Sequence, residues 1–527
     1  MEPILLNGQW TASQNPSGSV HAFNPSTKEA ITEREYPISS WDDLQAMLDA
    51  GKDAADQLAQ LEPDRIATFL ETYADELGKD IEQLVQIANT ETGLPVEPRL
   101  KNVELPRTTN QLRQAAVAAR DGSWRNAVID TAAGIRSIHN PLGGPVAVFG
   151  PNNFPFAFNG VAGGDFAAAI GAGNPVIAKA HPGHPHTSTL LAKAAMRAVE
   201  ATGMPKATVQ MFYKTKPELG LKLAAHPTLK AVGFTGGRGG GTRLKEAADR
   251  VGTPIYLEMS SSNPVFILRG ALEDRAEEIA AELHGSCALG AGQFCTKPGL
   301  AIVERCPESA SFLTALSEHA KSSVPGTLLT PASPDEIDST VTQLIGEGAE
   351  LLAGGRIAGT EGFAYENTVL TTTAAQFLRE SETMQTEAFG SVCLVVVAED
   401  LQEAVSVASV LEGNLTGTIY SAQDGRDDSG YNAVEKVLRT KVGRLLNDKM
   451  PTGVAVSPAM NHGGPFPATG HPLFTSVGIP ASLIRFTALH SYDNVRSHRL
   501  PSALQDKNPT GSMLRSIDAK WTTEDVS

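Results

Sequence analysis

Between residues 145 and 235 the chain alternates short apolar runs with helix-forming stretches. The runs are Pro145-Val146-Ala147-Val148-Phe149-Gly150, Pro175-Val176-Ile177-Ala178-Lys179, the segment from Thr208 to Tyr213, and Ala231-Val232-Gly233-Phe234-Thr235. Runs this short and this continuously apolar suit strands buried on both faces. Helices are expected between them over residues 162 to 171, 187 to 201 and 219 to 225. Strands separated by helices cannot pair as tight hairpins and must be joined by crossovers, so this pattern specifies a doubly wound parallel sheet. Such sheets bind ligands beyond the carboxyl ends of their strands.

Residues 264 to 450 repeat the style. Pro264-Val265-Phe266-Ile267-Leu268, Ala301-Ile302-Val303, Leu394-Val395-Val396-Val397, Gly417-Thr418-Ile419-Tyr420 and Val442-Gly443-Arg444-Leu445-Leu446 are read as strands of a second α/β domain. A chain of 527 residues exceeds what a single core organises, which agrees with two large units. Residues 40 to 120 read as helices. Val128-Ile129-Asp130 and Ile135-Arg136-Ser137-Ile138, either side of Thr131-Ala132-Ala133-Gly134, read as a hairpin. The tail beyond about 480 is rich in Ser, Arg and Pro and reads as an irregular extension ordered by packing on a partner subunit. The expected division is 1–124 with 143–258 as a dinucleotide-binding domain, 259–480 as a catalytic domain, and 125–142 with 481–527 as an oligomerisation hairpin and extension.

A net charge of −16 disfavours nucleic acid and anionic membranes as partners. The four cysteines show no CxxC spacing, which points to a reducing compartment and no zinc or disulfide framework. No secretory signal or membrane-spanning run is evident, so the cytoplasm is the expected location.

Four elements could carry chemistry. In Gly290-Ala291-Gly292-Gln293-Phe294-Cys295 a thiol sits among small residues where a carbonyl substrate could approach, although a lone Cys is often only a packing residue. Glu258 ends the apolar run Ile255-Tyr256-Leu257; there its pKa is expected to rise and suit a general base, unless it is simply a solvated strand end. In Pro151-Asn152-Asn153-Phe154-Pro155, Asn153 at a strand end could aim its amide at a developing oxyanion, or serve only as a turn residue. The turn Gly236-Gly237-Arg238-Gly239-Gly240-Gly241 could cradle a pyrophosphate at a helix N-terminus; it is not the GxGxxG fingerprint. His181, His184 and His186 have no nearby cysteine and read as a loop, so no metal is expected.

Taken together, these elements resemble the aldehyde dehydrogenase superfamily over residues 1 to about 490. The resemblance is carried by Asn153-Phe154-Pro155, Val176-Ile177-Ala178-Lys179, Phe234-Thr235-Gly236-Gly237, Leu257-Glu258-Met259-Ser260, Gly292-Gln293-Phe294-Cys295 and Glu387-Ala388-Phe389-Gly390 in the family's order. It implies an α/β, aldehyde dehydrogenase-like fold: a Rossmann-type cofactor domain, a second α/β catalytic domain and a small oligomerisation hairpin. It also implies Cys295 as nucleophile, Glu258 as the base that activates water, and Asn153 with the Cys295 N–H as oxyanion donors. Lys179 and Glu387 are implied on the cofactor riboses, Gly236, Gly237 and Gly241 at the pyrophosphate, and Phe389 beside the nicotinamide. The implied assembly is a homodimer or homotetramer.

The chain departs from the family pattern in ways that bear on specificity. Where a Glu often contacts the adenosine ribose, this chain reads Ala180-His181-Pro182; without that carboxylate, and with His181, Lys214 and Lys216 nearby, NADP is expected, with NAD possible. Lys179-Ala180-His181-Pro182, Asn263-Pro264-Val265-Phe266 and His462-Gly463-Gly464-Pro465-Phe466-Pro467 resemble the α-ketoglutaric semialdehyde (2,5-dioxovalerate) dehydrogenase branch. That implies a small, carboxylate-bearing aldehyde such as 2,5-dioxopentanoate, with Arg107 as the expected carboxylate partner and Phe154 in the substrate path. The alternatives are an NADP-dependent fatty aldehyde dehydrogenase, transfer of the acyl group to coenzyme A, and a non-catalytic protein with the same fold.

Overall fold

The computed structural model describes residues 1–527. The first sheet has seven strands, in the order Ile255–Glu258, Ala231–Thr235, Val146–Phe149, Val176–Lys179, Val209–Phe212, Ile4–Leu6, Gln9–Thr11. The first five run parallel, as their apolar runs and intervening helices require; the two N-terminal strands add on antiparallel at one edge. From Val146–Phe149 the chain winds outward to Val209–Phe212 and then returns to the other side with Ala231–Thr235. The reversal opens a crevice between Phe149 and Phe234 at the carboxyl ends. The helices Trp41–Leu58, Pro63–Lys79, Gly164–Gly171 and Pro185–Thr202 contribute to the core around this sheet, which includes Phe69, Tyr73 and Phe166.

The second sheet is also seven-stranded: Glu350–Ala353, Thr368–Thr373, Val392–Ala398, Leu300–Glu304, Val265–Ile267, Asn414–Tyr420, Val442–Asn447. All neighbours are parallel except the antiparallel edge strand Glu350–Ala353. Separate apolar clusters contain Phe266 and Ile302 in one and Val265 and Ala301 in the other, as expected where successive side chains point to opposite faces of a buried sheet.

Two features differ from the sequence reading. The tail is not an irregular extension: Thr487–Asp493 pairs antiparallel with Ile135–Pro141, and Arg515–Ile517 pairs with Val128–Asp130, so hairpin and tail make one five-stranded sheet within the chain. Its small core is Ala127, Ile129, Ile138, Leu500, Leu504 and Met513, and the buried Arg515 guanidinium ties backbone carbonyls of Gln505 and Glu524. The histidine segment is not wholly a loop either. His184 caps the helix Pro185–Thr202 and His186 lies within it, while the buried Glu91 carboxylate accepts from the His186 and Thr187 N–H groups. A carboxylate from elsewhere in the chain thus satisfies the helix's first donors.

Candidate active site

The two sheets meet in an unusual sense. The first presents carboxyl ends, carrying Asn153, Lys179, Gly236 and Glu258. The second presents amino ends: Cys295 lies just before Leu300–Glu304, Glu387 and Phe389 just before Val392–Ala398, and Asn414 opens Asn414–Tyr420. Between them is a cavity of about 570 Å³ walled by Asn153, Lys179, His181, Gly236, Gly237, Glu258, Cys295, Glu387 and Phe389. Of the expected cofactor residues only Gly241 lies outside this wall; Gly240 takes its place. A Cβ at Gly241 would meet Met259 Sδ at 2.8 Å, so a glycine here allows close packing of the helix Arg238–Asp249 on the strand end.

The Cys295 loop is held by an unusual backbone. Gly290, Ala291 and Gly292 all have positive φ, and a Cβ on Gly292 would fall 2.2 Å from the Gly390 carbonyl carbon. Asn263 Nδ2 donates to the Cys295 and Lys297 carbonyls, each at 2.9 Å. Lys297 is fully buried, and its ammonium donates to the Ala388 and Val392 carbonyls at 3.1 and 3.0 Å, tying the nucleophile loop to the Glu387–Phe389 turn. The Asn153 turn is fixed by the buried Glu104, whose carboxylate accepts from the Phe156 and Ala157 N–H groups at 2.8 and 3.0 Å. Asn153 Nδ2 donates one proton to the Gln293 carbonyl at 2.8 Å, which orients the amide and leaves its second N–H free. The Cys295 N–H has no acceptor within the chain.

Sequence reading assigned no role to the residue at the centre of this site. His462 Nε2 lies 3.4 Å from Cys295 Sγ and 2.8 Å from Glu258 Oε1. Ser476 Oγ donates to the other carboxylate oxygen of Glu258 at 2.8 Å and also reaches the His462 carbonyl. The His462 backbone N–H donates to Thr475 Oγ1 at 2.7 Å, and the ring makes edge-on contact with Phe158. Burial pushes the Glu258 carboxyl up, but His462, by charge and hydrogen bond, and then Ser476 and Cys295 outweigh it and leave Glu258 below its ordinary value. The expectation of a raised pKa is therefore overturned, because the strand end faces donors and not an apolar wall. Burial, and then the Glu258 charge, holds the Cys295 thiol well above its usual range.

Phe154, Phe158 and Phe294 lie outside the wall of the dinucleotide cleft and form an aromatic cluster, or vestibule, against His462. The Arg99 guanidinium lies 4.4 Å from the Phe154 centroid, and that of Arg107 lies 5.2 Å from Phe158. Arg99 gives its two terminal nitrogens to Glu104 and the Asn153 carbonyl, leaving its buried Nε without an acceptor. Arg107 gives Nε to Gln111 at 3.2 Å, but its Nη2 is buried without an acceptor. Arg113, further along the same helix, pairs with Asp75 at the surface.

The cleft fits a dinucleotide. Glu387 Oε1 is buried with no partner, and Lys179 forms no ion pair or hydrogen bond. Burial, with the Lys214 charge second, lowers Lys179 to about 8; burial raises Glu387 to about 7. A Cβ at Gly237 would meet nothing within 4 Å, which leaves room at the N-terminus of Arg238–Asp249 for a pyrophosphate.

Comparison with known proteins agrees with this geometry. The profile of the aldehyde dehydrogenase family matches residues 10–450. Alpha-ketoglutaric semialdehyde dehydrogenase 2 of Azospirillum brasilense is 38% identical over 511 residues, covering 94% of both chains. Alpha-ketoglutaric semialdehyde dehydrogenase of Acinetobacter baylyi is 36% identical over 536 residues, covering 96% of both. Among solved structures, betaine aldehyde dehydrogenase of Staphylococcus aureus in complex with NAD+ has a TM-score of 0.80 at 21% identity, covering 94% of this chain and 96% of that one. With the thiol, amide, carboxylate and dinucleotide cleft converging as described, the chain belongs to the aldehyde dehydrogenase family.

Proposed function

We propose that this NAD(P)-dependent aldehyde dehydrogenase oxidises 2,5-dioxopentanoate to 2-oxoglutarate, with NADP as the preferred acceptor and NAD as a possible one. The observation that carries the substrate reading is the buried, unsatisfied Arg107 Nη2 in the vestibule beside Cys295. A buried guanidinium nitrogen without an acceptor is costly, and a substrate carboxylate would supply one. The two relatives named above, both alpha-ketoglutaric semialdehyde dehydrogenases, support the same choice.

In this mechanism the Cys295 S–H proton leaves through the neighbouring Glu258–His462 pair to solvent, and Sγ adds to the aldehyde carbon. The free N–H of Asn153 and the Cys295 backbone N–H receive the oxyanion. A nicotinamide held in the cleft would accept the hydride, leaving Cys295 as a thioester. Glu258 then takes a proton from water, which attacks that thioester and releases the acid. His462 and Ser476 hold the Glu258 carboxylate in its charged form and aim it at the sulfur. Lys179 and Glu387 would hold the riboses, and Phe389 would bound the nicotinamide end. The Glu258 base favours water over coenzyme A as acyl acceptor.

Three features support NADP. No carboxylate follows Lys179, Lys216 and Arg243 stand at the cleft wall, and His181 is kept neutral by burial. Its Nδ1 accepts from the Gly183 N–H at 3.0 Å, so Nε2–H is the donor available to a phosphate. The vestibule's aromatic lining favours a second reading, oxidation of long aliphatic aldehydes. Initial rates for 2,5-dioxopentanoate, a neutral aldehyde of similar length and a fatty aldehyde, each with NADP and NAD, separate the two. The dioxo acid should have the highest kcat/KM, and a fatty-aldehyde optimum would replace the assignment. The cysteines, none of them paired, support a cytoplasmic location, and no helix is long and apolar enough to cross a membrane. A homodimer or homotetramer built on the five-stranded sheet is part of the proposal, since Leu489 and Trp521 on its strands are exposed.

A further inference from the structure

The active-site donors also have the composition of a metal centre. Cys295 Sγ, His462 Nε2 and one Glu258 carboxylate oxygen lie within 4.8 Å of one another. Around a tetrahedral zinc ion, with bonds of roughly 2.0 to 2.3 Å, such donors sit roughly 3.3 to 3.7 Å apart. The 3.4 Å from sulfur to nitrogen already meets this, and the 2.8 Å from nitrogen to oxygen needs to open by roughly half an ångström. Only three protein donors converge, and both Cys295 and Glu258 line the dinucleotide cleft, so a fourth position would face that space. The supporting contacts are those a metal site requires: Ser476 Oγ fixes the second Glu258 oxygen, and Thr475 Oγ1 fixes the His462 backbone.

Electrostatics favours a dication here. A single nitrogen holds a single proton, so Nε2 cannot fully satisfy a carboxylate and a thiolate at the same time. Without a cation between them, a thiolate and a carboxylate this close repel each other. A zinc ion with one thiolate, one carboxylate and one neutral imidazole is electrically balanced.

We propose that Cys295, His462 and Glu258 form a reversible, inhibitory Zn²⁺ site, distinct from any metal requirement of catalysis. On binding, the Cys295 S–H bond breaks, its proton passes to solvent, and an S–Zn bond forms with no change of oxidation state. The metal occupies the sulfur lone pair that attacks the aldehyde and the oxygen that activates water. Inhibition is therefore competitive with aldehyde. The inference goes beyond aldehyde oxidation, and its test does not require turnover.

The experiment uses the full chain, first stripped with EDTA. Zn²⁺ is titrated while the rate of iodoacetamide alkylation at Cys295 is followed by peptide mass spectrometry. Cd²⁺ is titrated in parallel and read by its thiolate charge-transfer absorption. One equivalent of Zn²⁺ should slow alkylation of Cys295 at least tenfold, with reversal by EDTA. His462→Asn and His462→Gln should each weaken metal affinity at least tenfold, and Cys295→Ala should abolish the Cd²⁺ absorption. Unprotected Cys295 in the wild-type protein, or unchanged affinity in both folded His462 variants, would overturn the site.

Discussion

Glu258 and His462 lie 204 residues apart in sequence, yet they share a 2.8 Å contact beside the nucleophile. The contact accounts for a carboxylate that is buried and nonetheless sits below its ordinary pKa, the reverse of what burial alone produces. His462 is a positioning residue for this base. His462→Asn should lower kcat by roughly tenfold to a hundredfold. It should also move the acid limb of the pH–rate profile upward. Glu258 must be ionised to work, and without the ring its desolvation is less opposed. A variant with reduced kcat but an unmoved acid limb would show that the ring is only structural.

Asn153 should matter at the oxyanion alone. One preorganised donor is worth about 3 kcal/mol, so Asn153→Ala should cut kcat about a hundredfold or more while leaving cofactor affinity unchanged. Cys295→Ser should abolish oxidation and preserve cofactor binding. Near-normal turnover in either variant contradicts the mechanism.

Arg107 should act on charge. Losing a charge-assisted bond worth roughly 1.5 to 3 kcal/mol predicts a KM for 2,5-dioxopentanoate that rises about tenfold to a hundredfold in Arg107→Ala. The KM for a neutral aldehyde of similar length should change far less. Parallel increases for both substrates would remove Arg107 from carboxylate recognition.

Glu387 should make cofactor binding pH-dependent. Its carboxyl titrates at about 7 when no ligand is bound, and ribose hydroxyls donate better to the charged form. Below that pH the group is neutral and a proton must leave on binding; above it the carboxylate is already present. Cofactor affinity should therefore rise as pH increases through about 7, before Lys179 begins to lose its proton near 8. Glu387→Gln should flatten the curve. Calorimetry in buffers of different ionisation enthalpy should detect proton release near neutrality with the wild-type protein, and its absence would refute this account.

The cofactor sheet was legible because each strand is a short apolar run ending in a residue with a task, as at Phe149-Gly150, Lys179 and Glu258. The segment from 450 to 480 has no such periodicity: its irregular backbone carries His462 and Ser476, and only the folded chain brings them to Glu258. The N-terminal Ile4–Leu6 was invisible as a sheet member because a three-residue edge strand leaves too little pattern to read. The tail misled by composition. Its strand Thr487–Asp493 is mostly exposed, so the alternation that marks a half-buried strand is faint. The glycine run looks uniform in sequence, whereas in the fold Gly241 packs on the Met259 sulfur, Gly236 on Phe234, and Gly237 faces open space. Arg99 and Phe158 lacked any signal, since their roles depend on the Glu104 anchor and the turn of Asn153.

Lys297 fastens the loop that carries sulfur to the turn that carries Glu387, through two carbonyls in a dry setting. Neither segment can shift without stretching that ammonium's bonds. Should a coenzyme bound in the cleft press on the Glu387 turn, the sulfur would feel its arrival before any aldehyde is met.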